Sequence, residues 1–515
     1  VARDAAGERG GVIRRRGERW AGGHVVSIQR GKGLYFSYAS AMTIPWFAIF
    51  IASYLLWVLV ACGSLLLERR SPTATLAWIF AFIAIPVVSG FYYILFGPRR
   101  LQRKRRRYGI ARGTVRRTSA LEPSKLELPR DAVGLAAVGR RLDQGEPTFA
   151  SAVKLLDDGD QCMEALEEAI GAAKHHIHME YYIWEPDHIG THFRDILAAA
   201  AQRGVEVRVL YDDLGSPNAG NAFWAPLREA GGEVLEFNSV RFKLWRWHLG
   251  NFRTHRKIAI CDGLAGFVGG INLHDPATAA RSGKDAWRDQ HCRIDGEPTH
   301  RIQQLFMENW SYSGGVFKLD TENAEKYFPR ARVGKGIPMQ IISSGPDDIN
   351  APMHAFFLAA LSTARDRVWI ETPYLIPDEP LETALRIAEL RGVDVQVIVP
   401  KEGDSKIVTA ASHTYCESLR KSGIKVFEYG PPMLHAKTMV IDETVGVIGT
   451  ANLDNRSFRL NFEIAAAFYD KDIIARLAAR FEQDRAVCKP FPSRKRPEKL
   501  TALFESIARL TSPVL

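Results

Sequence analysis

One pattern occurs twice in this chain, 180 positions apart, and it constrains the fold more than any other feature. The first copy, HRKIAICDGLAGFVGGINL, supplies His255, Lys257, Asp262, Gly269, Gly270 and Asn272. The second, HAKTMVIDETVGVIGTANLD, supplies His435, Lys437, Asp442, Gly449, Thr450 and Asn452. The spacing is the same in both. A lone His-x-Lys carries little information, but two matched frames in one chain imply a duplicated unit. The duplication also extends upstream. RGVEVRVL at 203–210 returns as RGVDVQVI at 391–398, and HMEYYIW around Glu180 returns as WIETPYLI around Glu371. REAGGEVLEF at 228–237 returns as RKSGIKVFEY at 420–429. These offsets are 188, 191 and 192, so the first copy carries about twelve extra residues before its histidine. That insertion, 238–254, reads NSVRFKLWRWHLGNFRT.

Each half alternates helical and strand patterns. EALEEAIGAAKHH has helical apolar spacing, IHMEYYIW reads as a strand, FRDILAAAAQRGV as a helix and VEVRVLYDD as a buried strand. This order implies an α/β fold: two pseudo-symmetric domains with mixed sheets covered by helices. IAICDGLAGFVGG reads as a hairpin turning at Asp262-Gly263. Asp262 and Asp442 are therefore read as turn residues in preference to direct catalysis, though both stay among the candidate catalytic residues. His and Lys lie two apart on one strand and face the same side. The Gly-small-x-Asn segment brings compact backbone close to that side, where a phosphate can approach.

The six cysteines are scattered and form no CxxC, which argues against a metal or redox site and fits reduced thiols. His175, His176 and His178 are read as a helix end entering a strand rather than as metal ligands. No cofactor and no metal are expected.

The net charge of +10 points to an anionic partner, either nucleic acid or an anionic membrane. The N-terminal region favours the membrane. Gly33–Leu67 and Ser71–Pro98 carry no charged side chain, and each exceeds the ~20 residues that cross a bilayer core. With a short link, Leu67 to Pro72, they are expected to form a transmembrane hairpin, its second helix kinked at Pro86. Seven basic residues lie between Arg99 and Arg107, and further ones precede the hairpin. That asymmetry places both tails and the catalytic region in the cytoplasm. The expected organisation is a disordered basic tail over 1–41, the hairpin over 42–98 and a basic connector over 99–150. The two catalytic domains follow at 151–330 and 331–490, then an amphipathic helix within 491–515. Met42, at the head of the first apolar run, is expected at or near the true start. The C-terminal helix places Leu500, Leu503, Phe504, Ile507 and Leu510 on one face, either packed on the catalytic domains or lying on the membrane. The 238–254 insertion interleaves Arg241, Lys243, Arg246, Arg253 and the adjacent Arg256 with Phe242, Trp245, Trp247 and Phe252. It reads as a membrane-docking loop in preference to a surface loop tucked onto the core.

An imidazole can attack a phosphodiester phosphorus and form a phosphohistidine. The leaving alkoxide is strongly basic, so a second imidazole must protonate it. One histidine from each motif, facing across a pseudo-twofold axis, meets this need. Lys257, Lys437, Asn272 and Asn452 would surround the non-bridging oxygens. Each histidine also needs an orienting carboxylate. Asp289 in WRDQH and Glu463 in NFEI, each downstream of its own motif's histidine, are candidates for that role or for contact with substrate; ordinary surface charge is the alternative.

The paired motifs, together with ERRSPTATLAWI, YYIWEPD, GGIN, WRD, ETPYLIP and GTANLDNRSFRLNFE, resemble the bacterial cardiolipin synthases of the phospholipase D superfamily over about residues 42–515. The resemblance implies transfer of a phosphatidyl group between two phosphatidylglycerol molecules, giving cardiolipin and glycerol, at the bacterial inner membrane. It also implies His255 as nucleophile, His435 as acid/base, and Asp289 and Glu463 as orienting carboxylates. The near-symmetric sequence does not itself fix that order. Asn455 departs from the family's usual Met, outside the catalytic frame. Hydrolytic phospholipases D, other phosphatidyltransferases and nucleases share the paired motif. The membrane runs weigh against the nuclease, so phosphatidylglycerol and membrane are the expected partners and nucleic acid is not. The oligomeric state and the second lipid stay open.

Overall fold

The computed structural model describes residues 46–67, 72–85, 88–91, 93, 108–109, 112–113, 128–142, 145–239, 252–317, 321–330, 336–348, 350–493 and 499–512. They belong to two compact units, Val1–Ser89 and Gly90–Leu515. The tail over 1–41, Met42, Pro86 and the 99–107 basic cluster lie outside the described residues.

In the first unit, helix α1 (Trp46–Leu66) carries no charge in its first or last turn and has a mean hydropathy of 2.3. Its 21 residues rise about 31 Å, enough to cross a bilayer core. Helix α2 (Pro72–Ala84) starts on proline, whose missing N–H costs nothing at that position. Its 13 residues rise only about 20 Å. The second expected span is thus represented by a shorter helix, beyond which Ser89 N donates to Ile85 O at 2.9 Å. The two helices pack together: Tyr54 Oη donates to Ile83 O at 2.7 Å, and the Trp57 and Phe82 rings meet edge-on at 5.4 Å.

The second unit is built on strands that repeat as the sequence repeats. The first half supplies β1 (Thr148–Leu156), β2 (His176–Tyr181), β3 (Glu206–Asp212), β4 (Glu233–Phe237), β5 (Ile258–Cys261), β6 (Ala265–Gly269) and β7 (His291–Gly296). The second supplies β8 (Ile337–Ser344), β9 (Arg367–Glu371), β10 (Leu375–Ile376), β11 (Asp394–Pro400) and β12 (Lys425–Tyr429). It continues through β13 (Thr438–Ile441), β14 (Val445–Gly449), β15 (Leu453–Asp454), β16 (Glu463–Phe468) and β17 (Lys489–Pro490). One sheet runs β17-β12-β11-β9-β13-β14-β16-β8-β1-β7-β6-β5-β2-β3-β4, with β10 and β15 paired apart. Read outward from its middle, β8-β16-β14-β13-β9-β11-β12 mirrors β1-β7-β6-β5-β2-β3-β4. The outer strands β2-β3-β4 and β9-β11-β12 are parallel and the inner ones antiparallel, which is the expected mixed sheet.

The halves are not separate bodies. β1 and β8 pair antiparallel at the centre, Thr148 opposite Met339 and Ala150 opposite Ile337. One core holds Ile258, Ile260, Val268 and Trp310 from the first half with Ile341, Val440, Ile448 and Phe481 from the second. Each half keeps its own core on the other side. The stretch expected as a connector also contributes. Helix Arg130–Arg141 buries Ala132, Leu135 and Ala136 among second-half residues, and buried Tyr108 donates to Asn309 Oδ1 at 2.9 Å. The C-terminal helix Lys499–Leu510 packs on helix Lys406–Lys421 through Ala508, which joins Ile376, Ala411 and Tyr415.

Candidate functional site

Each motif histidine sits on the extended segment that leads into a hairpin strand. His255 precedes β5 and His435 precedes β13. The two segments bond across the pseudo-twofold axis to the opposite half. His255 N donates to Phe462 O at 3.0 Å and Phe462 N to Arg253 O at 2.9 Å. His435 N donates to Arg288 O at 2.7 Å and Arg288 N to Met433 O at 2.8 Å. Both motifs are thereby stitched into one buried site.

This stitching decides which carboxylate serves which histidine. His255 Nδ1 lies 3.0 Å from Glu463 Oε2, and His435 Nδ1 lies 2.6 Å from Asp289 Oδ2. The sequence placed each carboxylate downstream of its own motif; the structure exchanges them between halves. Both carboxylates face the Nδ1 side of their imidazoles. With Nδ1 engaged, the Nε2 of each ring is the atom left for chemistry. Gly270 makes the Asp289 arm possible, because a Cβ there would lie 2.1 Å from Asp289 Oδ1. At the matching position of the second half Thr450 is accommodated, and its hydroxyl donates to Glu463 Oε2. Asn461 Nδ2 donates to Glu463 Oε1 at 3.2 Å.

Lys257 and Lys437 fold back over the histidines. Lys257 Nζ donates to His255 O at 2.8 Å and lies over the Tyr182 ring. Lys437 Nζ donates to His435 O and sits 3.0 Å from His435 Nδ1. Burial and the neighbouring Lys437 hold the Lys257 amine well below its ordinary range. Burial brings Lys437 down to about 8. Burial first, and then both lysines, also push His255 well down, and burial and Lys437 push His435 down. Both rings are therefore neutral near pH 7. The carboxylates differ. Burial raises Asp289, but His435 and Lys437 outweigh it and keep the group ionised. Burial lifts Glu463 to about 7 despite Lys257.

The asparagines lie in the same buried region with unequal partners. Asn272 Oδ1 accepts from Ile183 N at 3.2 Å, while Asn452 Oδ1 is buried with no hydrogen-bond partner among the described residues. Asp262 and Asp442 are not brought to the imidazoles. Each lies at the far end of its strand, at φ 54° and 50°, and receives three backbone amides. Lys174 N, His175 N and His176 N donate to Asp262 at 2.8, 2.8 and 2.9 Å. Arg365 N, Asp366 N and Arg367 N do the same for Asp442 at 2.9, 2.9 and 2.8 Å. These aspartates clamp the start of the neighbouring strand to the hairpin turn.

His176 and His178 begin β2 and are buried, His178 stacked on Phe306 at 4.6 Å. Most of the insertion, 240–251, lies outside the described residues, including Arg241, Phe242, Lys243, Trp245, Arg246 and Trp247. Its neck is described and closed: Asn238 Nδ2 donates to Phe252 O at 2.8 Å and Arg253 Nη2 to Asn238 O at 2.7 Å. Phe252, Arg253 and Arg256 are buried. Arg253 pairs with Asp212 at 3.1 Å and Arg256 Nε donates to Glu463 O at 3.2 Å. Those two cations and that ring work inside the protein and are withdrawn from the membrane-facing set.

Sequence reasoning used Glu180 and Glu371 only as repeat markers. Both are buried beneath the motif strands. Glu180 takes the Thr254 hydroxyl and Asn309 Nδ2, the latter at 2.6 Å, and Glu371 takes Thr438 Oγ1 at 2.6 Å. Their matched positions in the repeat were the available signal. Tyr182, edge-on to His255 at 4.9 Å, and Trp287, 5.2 Å from His435, had no repeat partner to reveal them.

Comparison with known proteins places this geometry in a family. The family model described as "Cardiolipin synthase, PLD-like domain" matches residues 166–310 and 357–485. The chain belongs to the cardiolipin synthase family. It is 35% identical over 476 residues to cardiolipin synthase 1 of Bacillus anthracis, covering 89% of this chain and 93% of that one. It is 35% identical over 477 residues to the major cardiolipin synthase ClsA of Bacillus subtilis, covering 90% and 98%. Among solved structures, a phosphatidylserine synthase of Haemophilus influenzae aligns with a TM-score of 0.57 at 16% identity, over 73% of this chain and all of that one. At that identity the likeness shows a shared fold.

Proposed function

We propose that the protein is a cardiolipin synthase that moves a phosphatidyl group from one phosphatidylglycerol to another through a phosphohistidine. The observation that carries this reading is the exchanged pairing: two imidazoles in one buried site, each backed by the other half's carboxylate and flanked by a lysine.

In the first step His255 Nε2 attacks phosphorus, the phosphorus–oxygen bond to the departing glycerol breaks, and His435 gives that oxygen a proton. In the second, His435 takes the proton of an acceptor glycerol hydroxyl, which attacks phosphorus as the phosphorus–nitrogen bond breaks. Cardiolipin and glycerol leave, and both imidazoles return to their starting states. An acid must hold a proton, and the arriving phosphodiester anion supplies the reason it does. Its charge offsets the two lysines and raises the imidazoles beside it. Ionised Asp289 behind His435 favours the imidazolium there. Glu463, lifted to about 7, favours a neutral His255, which a nucleophile requires. The lysines carry the growing charge on the non-bridging oxygens. Helix α1 anchors the enzyme to its lipids, and the basic flanks support a cytoplasmic catalytic unit.

The test is incubation of purified full-length protein with labelled phosphatidylglycerol, followed by lipid mass spectrometry. Cardiolipin plus glycerol is the expected product, and phosphatidic acid alone would make the enzyme a hydrolase. His255→Ala should abolish both turnover and covalent adduct, whereas His435→Asn should still form adduct from a substrate with an activated leaving group. An adduct on His435 in the wild type would reverse the assignment.

A further inference from the structure

Three features of the C-terminal helix Lys499–Leu510 stand apart from the catalytic site. Its apolar stripe faces outward, with Leu503 57%, Phe504 48%, Ile507 52% and Leu510 79% exposed. Positions 503, 504, 507 and 510 fall on one helical face. The helix is nevertheless held in place by a different edge. Ala508 is buried, the Arg509 guanidinium lies over the Tyr415 ring at 5.0 Å, and Tyr415 Oη donates to Ser512 Oγ at 3.2 Å. The stripe is therefore presented by packing rather than left over from its absence. The sequence leading into the helix carries Arg494, Lys495, Arg496 and Lys499 against the single acid Glu498.

We infer that this helix is a second membrane contact, lying in the headgroup region of an anionic bilayer with Leu503, Phe504, Ile507 and Leu510 inserted. The charge of the leading segment selects the occupant. Lysine and arginine near an anionic leaflet contribute about 1 kcal/mol each, and an amphipathic helix beside them adds its buried apolar area. The net charge of +10 on each chain opposes a second copy covering the stripe. The membrane-length helix α1 on the same chain keeps the protein at a bilayer.

The contact is joined to the catalytic machinery. Asn455 Nδ2 donates to Ser512 O at 3.3 Å, and Asn455 directly follows β15, three residues after the motif's Asn452. Ile376 of β10, which pairs with Asp454, shares the small core of Ala508. A bilayer that orients this helix thereby orients the second half's edge of the site. This consequence rests on the phospholipid reading of the site, whereas the docking itself does not.

Two measurements on the full-length protein separate these claims. In the first, Phe504→Cys carries an environment-sensitive fluorophore, with the two half-exposed cysteines Cys62 and Cys488 changed to serine and the other four buried. In phosphatidylglycerol-containing vesicles the probe should shift blue and be quenched by nitroxides on the acyl chains, and less so in phosphatidylcholine alone. A probe that stays in water in both overturns the inference. In the second, Leu503→Ser, Phe504→Ser and Ile507→Ser are combined. Transfer on bilayer substrate should fall about tenfold, while turnover of a short-chain soluble phosphatidylglycerol stays unchanged. Equal loss on both substrates, or none on either, overturns it. So does a wild-type dimer that the triple variant dissociates, because a second copy would then cover the stripe. A probe that docks on a protein making no cardiolipin refutes the proposed function and leaves the docking intact.

Discussion

At the scale of single residues, burial first and then the two lysines push both motif imidazoles down from their ordinary range. Lys437 is central, because it lies against His435 and lowers both rings. Lys437→Met should lower kcat/KM by roughly 10²–10³, the size of losing one preorganised charge contact in the transition state. It should also move the acid limb of the kcat/KM profile. Removing a cation raises the pKa of both imidazoles, so protonation of the nucleophile begins at higher pH and activity is lost earlier as pH falls. A profile that keeps its acid limb in place while the rate falls would mean that the lysine acts on the substrate alone.

At the scale of elements, the exchange of carboxylates makes an assignment that spacing cannot. Asp289 should serve the acid step through His435, and Glu463 the attack through His255. With an ordinary glycerol leaving group, Asp289→Asn should slow adduct formation about 10²-fold. With a nitrophenol leaving group, which needs no acid, its adduct should form at close to the wild-type rate. Glu463→Gln should slow adduct formation from both. Gly270→Ala should behave like Asp289→Asn, since its methyl would occupy the space of Asp289 Oδ1. If Glu463→Gln is the variant rescued by nitrophenol, the histidine roles are reversed. The motif residues were legible because a duplication repeats them at fixed spacing, and the turn role of Asp262 and Asp442 followed from their place at a hairpin. The exchange was hidden. It depends on the short bridges Thr254–Phe462 and Arg288–Leu434, which join segments of opposite halves and leave no local signature. The fate of Arg253 and Arg256 was hidden for a related reason: a basic stretch read along the chain does not show that two of its members face buried Asp212 and Glu463.

At the scale of the whole molecule, the repeat suggested two domains, and the structure joins them through β1 and β8 into one sheet with a shared core. Each half's pattern was readable because alternation and helical spacing are local. The seam was not, since β1 and β8 resemble any other buried strands. The shared core has a consequence for stability. Trp310, on helix Pro298–Tyr312, is fully buried in that core, and its indole nitrogen has no hydrogen-bond partner among the described residues. Truncating it removes packing without stranding a polar partner. Trp310→Ala should cost about 3–5 kcal/mol, the range for deleting a large buried ring. Were the halves independent, that cost would fall on the first half alone. With a common core it is felt by both, and local opening should follow the shared cooperative unit. Hydrogen exchange on the full-length protein should therefore show lost protection in β14 and β16 of the second half as well as in β5 and β6 of the first. Protection retained in β14 and β16, beside loss in β5 and β6, would mean that the continuous sheet joins two bodies that unfold separately.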